Sequence, residues 1–279
     1  MNYGVKATKK RIRAANSRKK KYANRLFLTF FKTAFVLVLF LCVTGVSTFI
    51  GMFKGILDSS PDFNPDSFTP SGYFSTIYNS AGEVTDTLVG SNSNRIEASY
   101  EDFPQDLIDA FVSIEDSRFW QHSGIDLRSI SRAVVGVLTN NYKGGASTLT
   151  QQLAKNELFT QEKQMARKAA EMFAARDIED YYSKQQIFEM YAGSCYFGNQ
   201  WSGVAQAAQG YFGKPTRELT RAECVVLAGL PNAPSVYAAN GELARRRALV
   251  VVERMERAKK LTHTQALELR DEVSALPLW

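Results

Sequence analysis

Glu115 and Asp116 stand side by side, Glu171 follows 56 positions after Glu115, and Lys155, Lys163, Arg167 and Lys168 fall between the two glutamates. Carboxylates placed on either side of a sugar bond are the usual equipment of glycosyl chemistry, one handling a proton and the other facing developing charge. The four cations lie within fourteen residues of one another. With the backbone N–H groups of a helix capped by Ser147 after the Gly144-Gly145 turn, they describe a site for an anionic group such as a diphosphate. Gln151, Gln152 and Asn156 set three amides beside Lys155, suited to sugar hydroxyls and phosphate oxygens. Each feature also has a plainer reading: a solvated helix face for the glutamates, and a basic face resting on anionic lipid for the cations.

Only the fold can bring residues so far apart in sequence together. Leu107, Ile108, Phe111, Val112 and Ile114 recur at helical spacing after Pro104, which predicts a helix ending at Glu115. A second apolar helix is expected over 127–138 with Arg128 and Arg132 on it, and a third from Ser147 through Lys155. Further helices are read over 163–182, 185–191, 204–211, 221–230 and 242–260. Strands and helices do not alternate, so a doubly wound sheet is excluded. Tyr73–Tyr78 and Glu83–Val89 flank Asn79-Ser-Ala-Gly82, a strand-turn-strand pattern. The fold class expected is mainly α, with a small β-hairpin before the helical body.

The 279 residues are 45% hydrophobic and 22% charged, ordinary for a globular chain. The charge is unevenly spread: residues 1–54 hold twelve Lys/Arg and no acid, leaving twenty-two basic and twenty-eight acidic residues beyond. The pI of 9.1 therefore describes a tail. A nucleic-acid partner would need its basic face on the folded body, so none is expected. Thr33–Phe53 is uncharged and dominated by Phe, Val and Leu, long enough as a helix to cross the ~30 Å hydrocarbon core. The basic residues before it predict that the N-terminus is inside and the rest outside the membrane. Cys42, Cys195 and Cys224 show no metal spacing, and a bond between the last two is permitted without being indicated.

Five segments together resemble the motifs of the peptidoglycan glycosyltransferases, the polymerising domain of penicillin-binding proteins and their monofunctional relatives. They are Glu115-Asp-Ser-Arg-Phe119-Trp-Gln-His122-Ser-Gly124-Ile-Asp126 and Gly144-Gly-Ala-Ser147-Thr148-Leu-Thr-Gln151-Gln152-Leu-Ala-Lys155-Asn156. Arg167-Lys168-Ala-Ala-Glu171 is the third, and Lys184 to Lys214 carries the fourth with Glu189-Met-Tyr191 and Tyr196-Phe-Gly198-Asn. Glu223 to Ser235, with Leu230-Pro231-Asn-Ala-Pro234, is the fifth.

The resemblance implies a lysozyme-like fold with a membrane-facing lobe after the first motif. Its substrate would be lipid II, a disaccharide-pentapeptide on polyprenyl diphosphate, with the growing glycan strand as donor. Glu115 would be the general base and Lys155, Lys163 and Lys168 would stabilise the leaving diphosphate, with Mg2+ or Mn2+ held near Glu171. Ser147, Thr148, Gln151, Gln152, Asn156 and Arg167 would line the donor side. Asp116, Phe119, His122, Gly124 and Asp126 would shape the loop around the base, His122 reading more simply as a structural histidine.

The organisation expected is a basic cytoplasmic tail (1–32), a transmembrane helix (33–53), a juxtamembrane linker (54–72), a hairpin entrance (73–100), the glycosyltransferase domain (101–260) and a C-terminal helical tail (261–279). This predicts a single-pass protein of the bacterial cytoplasmic membrane with its catalytic domain outside. Membrane lipid, a separate transpeptidase and other wall-synthesis proteins would be its partners. The one S-x-x-K, Ser17–Lys20, lies in the tail and no Lys-Thr-Gly occurs, so peptide cross-linking is not expected of this chain. Three positions depart from the family pattern: Lys163 where Arg is common, Gly193 in place of an Asn, and Glu157 in place of an apolar residue. A weakly catalytic lipid II-binding scaffold and a lysozyme-like glycan hydrolase are the competing readings, the latter having no use for the cations.

Overall fold

A computed structural model of the chain describes residues 4–15, 18–58, 65, 75–82, 84–88, 95–140, 145, 147–159 and 165–279. Lys163, most of the linker and the Gly144 turn position lie outside them. The chain divides into two compact units, Met1–Ser59 and Ser60–Trp279.

The first unit is helical: α1 (Val5–Ala15) and the 41-residue α2 (Arg18–Asp58). Within α2, the 27 residues Tyr22–Thr48 have a mean hydropathy of 2.5 in their most apolar window and are long and apolar enough to cross a membrane. The hydroxyls of Thr33, Thr44 and Thr48 donate to carbonyls one turn back, at 2.8–3.0 Å. These three hydroxyls thus find their partners inside the helix, as an apolar surrounding demands. The helix continues to Asp58, into the expected linker.

The second unit begins with β1 (Ser75–Tyr78) and β2 (Val84–Leu88), antiparallel with Ser75 opposite Leu88 and a register shift at Ile77/Tyr78. Gly82, at φ +78, takes the left-handed conformation of the turn between them. The helices follow: α3 (Gln105–Glu115), α4 (Leu127–Leu138), α5 (Leu149–Leu158), α6 (Met165–Tyr181), α7 (Lys184–Ser194), α8 (Val204–Phe212), α9 (Arg221–Gly229), α10 (Pro234–Ala239), α11 (Gly241–Arg257) and α12 (His263–Ala275).

Helix α9 is buried on every side from Ala222 to Gly229, because its sequence offers almost nothing but small and aliphatic side chains. Helices α3 and α11 pack on it with their apolar stripes, Leu107, Ile108 and Phe111 from one, Ala244, Ala248, Val251 and Val252 from the other. Phe111 meets the rings of Phe188, Tyr191 and Phe197 edge-on at centroid distances of 6.0–6.3 Å, a favoured arrangement of aromatic quadrupoles. Residues 263–275, expected to lie beyond the domain, contribute Ala266, Leu269 and Val273 to the same core. Arg245 holds them there, donating to the carbonyls of Val273, Ser274 and Leu276 at the end of α12. Cys195 and Cys224 are separate buried thiols; burial pushes Cys195 up to about 12 and also raises Cys224, which leaves both unreactive.

Candidate active site

Helix α3 ends at Glu115 at the edge of a cleft of about 430 Å³. Its apolar face is locked into the core, so the carboxylate is delivered by a rigid element. Gln152 on α5 donates its amide to Glu115 Oε2 at 2.7 Å, fixing the carboxylate's direction. Lys155, one turn further on, lines the same cleft and makes no ion pair among the described residues. Lys168 and Glu171 reach it from α6, and Ser147, Thr148 and Gln151 from the start of α5.

The first loop is built differently from its sequence reading. Asp116 is buried and accepts from His122 Nε2 at 2.9 Å and from the backbone N–H of Leu149 at 3.1 Å. An anion thus already sits on the first turn of α5, where the helix dipole favours one. The cap of that helix is Thr148, not Ser147: Thr148 and Gln151 form a reciprocal capping box. The expected open anion site at this helix end is therefore filled from within, by Asp116 and by the Thr148 hydroxyl. Ser147 instead accepts from Lys168 Nζ at 2.8 Å. Thr148 also donates to the carbonyl of Gly124 at 2.6 Å, tying loop to helix.

Asp126 caps α4 through the N–H groups of Arg128 and Ser129 and is ion-paired with Arg118. It borders the cleft, but its oxygens are spent on structure. Gly124 has φ +80, and a Cβ there would lie 2.5 Å from the carbonyl oxygen of Ala175. It permits the loop to touch α6 and contacts no part of the cleft. Phe119 is fully buried, with Lys184 Nζ 4.3 Å from its ring centroid. Phe119 and His122 are therefore supports for the loop and not part of the cleft lining. Asn156 is turned toward Ser194 Oγ at 3.4 Å and also leaves the cleft.

Glu171 is 1% exposed, and both its oxygens face protein cations: Arg167 Nε at 3.2 Å and Lys168 Nζ at 2.7 Å. Among the described residues no three His, Cys, Asp or Glu side chains converge on a point that could hold a metal ion. A lone carboxylate already neutralised by two cations does not fit a divalent ion, whose ligands are several free oxygens. What Glu171 does hold is Lys168, whose ammonium it aims between Ser147 and the cleft.

Two of the three departures lie away from this chemistry. Glu157 faces Arg95 at 3.5 Å, and burial raises its carboxyl above the usual range. Gly193 borders a separate cavity of about 240 Å³ beside Ile96, Phe103 and Met190. The third, Lys163, lies outside the described residues.

Sequence reasoning missed part of the cleft lining: Ser129 and Arg132 of α4, Asn232, and Arg247 and Arg254 of α11. The stem of Arg247 passes over Gly229, and its Nε is buried with no hydrogen-bond partner among the described residues. A signal was present: Arg247 and Arg254 are two turns apart and each directly precedes a buried position, Ala248 and Met255, so both sit on the rim of the apolar face.

The helical body and the carboxylate-and-cation cleft belong to a class of protein that comparison identifies. The Transglycosylase family model matches residues 81–256, and the chain belongs to that family, with its mainly α, lysozyme-like fold. Penicillin-binding protein 1A of Clostridium tetani is 36% identical over 225 residues, covering 79% of this chain and 28% of the relative. Penicillin-binding protein 1A of Neisseria cinerea is 39% identical over 236 residues, covering 84% and 29%. A crystal structure of penicillin-binding protein 1A from Haemophilus influenzae aligns with 76% of this chain and 22% of its own, at 25% identity and a TM-score of 0.42. The chain thus spans under a third of the length of these curated relatives.

Proposed function

We propose that the chain is a membrane-anchored peptidoglycan glycosyltransferase that polymerises lipid II into β-1,4-linked glycan strands and releases polyprenyl diphosphate. The observation that carries this reading is the cleft itself: one carboxylate fixed by an amide, with ammonium and guanidinium groups around the same space.

Glu115 takes the proton of the acceptor's 4-hydroxyl while that oxygen attacks the donor's anomeric carbon. The bond from that carbon to the diphosphate breaks on the opposite face, so the centre inverts. New negative charge gathers on the leaving diphosphate, which lies against Lys155 and Lys168, with Lys163 close in sequence. Preorganised cations stabilise that charge without reorganising as it develops. Gln152 keeps Glu115 aligned, and Glu171 with Arg167 keeps Lys168 in place. A hydrolase would have no need of these cations.

Helix α2 serves as the anchor, with the basic tail in the cytoplasm and the body outside. Helix α4 leaves Leu127, Val134, Val135, Val137 and Leu138 more than half exposed, in keeping with a lobe that lies in the bilayer interface beside a lipid-linked substrate. Nascent glycan, membrane lipid and a transpeptidase are the partners this reading implies.

The test is polymerisation of labelled lipid II by the chain in detergent, beside Glu115→Gln and with divalent metal supplied or chelated. Strands from the native chain and none from the variant support the reading. Lipid II binding without any product would replace it with a scaffold.

A further inference from the structure

Around α8 the rings of Trp201, Tyr211 and Trp279 pack in a row, with Tyr196 on the neighbouring segment. Gly210 lets the indole of Trp201 lie directly on the helix, since a Cβ there would meet the ring at 2.4 Å. Tyr211 stands edge-on to Trp201 at 4.5 Å between centroids, and Trp279 covers Tyr211 at 4.1 Å. Tyr196 adjoins them across the bridge to Ser202. We propose that this platform binds the uncharged sugar face of a β-1,4-linked N-acetylhexosamine chain, outside the catalytic cleft; the identity of that chain as the nascent strand rests on the reaction proposed above.

The chemistry of the surface selects this occupant. From Tyr196 to Gly213 there is no Asp, Glu, Lys or Arg. Exposed Gln200 and Gln209 supply amides beside the rings, and amides pair with hydroxyl and acetamido groups. The rings are held by their polar tips: Tyr211 donates its hydroxyl to the carbonyl of Phe197 at 2.8 Å, and Trp279 Nε1 to that of Tyr237 at 3.0 Å. With its tip turned inward Trp279 remains 41% exposed, and Tyr196, whose hydroxyl accepts from the backbone N–H of Gln200 at 3.4 Å, remains 43% exposed. The electron-rich face of an aromatic ring attracts the polarised C–H groups on the flat side of a pyranose. A membrane-interface aromatic would do the reverse, keeping its tip toward water and its body in lipid.

The platform also adjoins the cleft. Tyr237, whose carbonyl accepts from Trp279, donates its hydroxyl to Asn232 at 3.2 Å, and Asn232 lines the cleft wall. Helix α10 thus links the cleft lining to the aromatic surface.

The test uses the full chain in detergent micelles with a β-1,4-linked N-acetylglucosamine hexamer as probe, read by tryptophan fluorescence and calorimetry. The expected result is saturable binding that Tyr196→Ala and Trp279→Ala each weaken about tenfold, that Trp279→Phe largely retains, and that Glu115→Gln leaves unchanged. No hexamer binding by the native chain overturns the platform. So does binding lost in Glu115→Gln but kept in both alanine variants. A drop in partitioning of Trp279→Ala onto phospholipid vesicles, with hexamer binding intact, assigns the rings to the membrane and also overturns it. The underlying reaction fails separately: a chain that binds hexamer but never polymerises lipid II keeps the platform and loses the transferase reading.

Discussion

Gln152 and Glu115 are 37 residues apart in sequence and 2.7 Å apart in space, amide nitrogen to carboxylate oxygen. On the mechanism proposed above, Glu115 would therefore enter the reaction already aimed. Replacing Gln152 with Ala frees the carboxylate to rotate while leaving its charge, and misalignment of this kind costs about 10–100-fold in kcat. KM for lipid II should change little. Steady-state polymerisation kinetics check this, and a Gln152→Ala chain with native kcat would mean the contact is incidental.

Gly124 has a different kind of importance. With φ +80 and no room for a Cβ against Ala175, Gly124→Ala strains the backbone and pushes the first loop off α6. A cost of about 1–3 kcal/mol is expected, seen as a fall in Tm of several degrees. Because Thr148 bonds the carbonyl of this same residue, activity should fall with stability. An unchanged Tm would show that the loop has space to move.

Arg247 brings a further cation to the cleft, from α11. Arg247→Ala is expected to lower kcat/KM about 10–100-fold, and Arg247→Lys to recover only part of it, since a point charge cannot replace the planar fork. Gly229→Ala tests the same group indirectly, because the added methyl would sit 3.0 Å from the Arg247 stem. Native kinetics in all three would reduce Arg247 to a packing residue.

The pH dependence of stability should carry a signature of Glu157. Burial raises its carboxyl and Arg95 only partly opposes the shift, so the folded protein holds this proton to higher pH than the unfolded chain does. Stability then falls as pH rises through the interval from the ordinary carboxylate value to the raised one. Glu157→Gln should accordingly gain Tm relative to the native chain at pH 8 and lose that gain at pH 4. A difference in Tm that is the same at both pH values would sink the idea.

Much of this was legible in the sequence because helices announce themselves by period and caps. The helix ending at Glu115 and the apolar segment 127–138 were read to the residue at the ends that matter. The cap of α5 was misplaced by one position, since Ser147 and Thr148 are chemically alike and only the reciprocal bond with Gln151 separates them. Phe119 is expected in the loop around Glu115, and it supports that loop from inside the core, because tertiary packing decides where a ring goes. The arginines of α11 left only a weak signal, their place on the rim of its apolar face, because nothing local distinguishes a rim that faces water from one that faces a cleft.

Helix α4 has a practical consequence. Five large aliphatic side chains stand more than half exposed along it, and each would gain up to about 1.5–3 kcal/mol on full transfer out of water. Cutting the chain after Ser59 would therefore not yield a freely soluble catalytic body. Such a fragment should still take up detergent and self-associate without it, and charged replacements at Val134 and Leu138 should be what finally lets it stay in solution as a monomer.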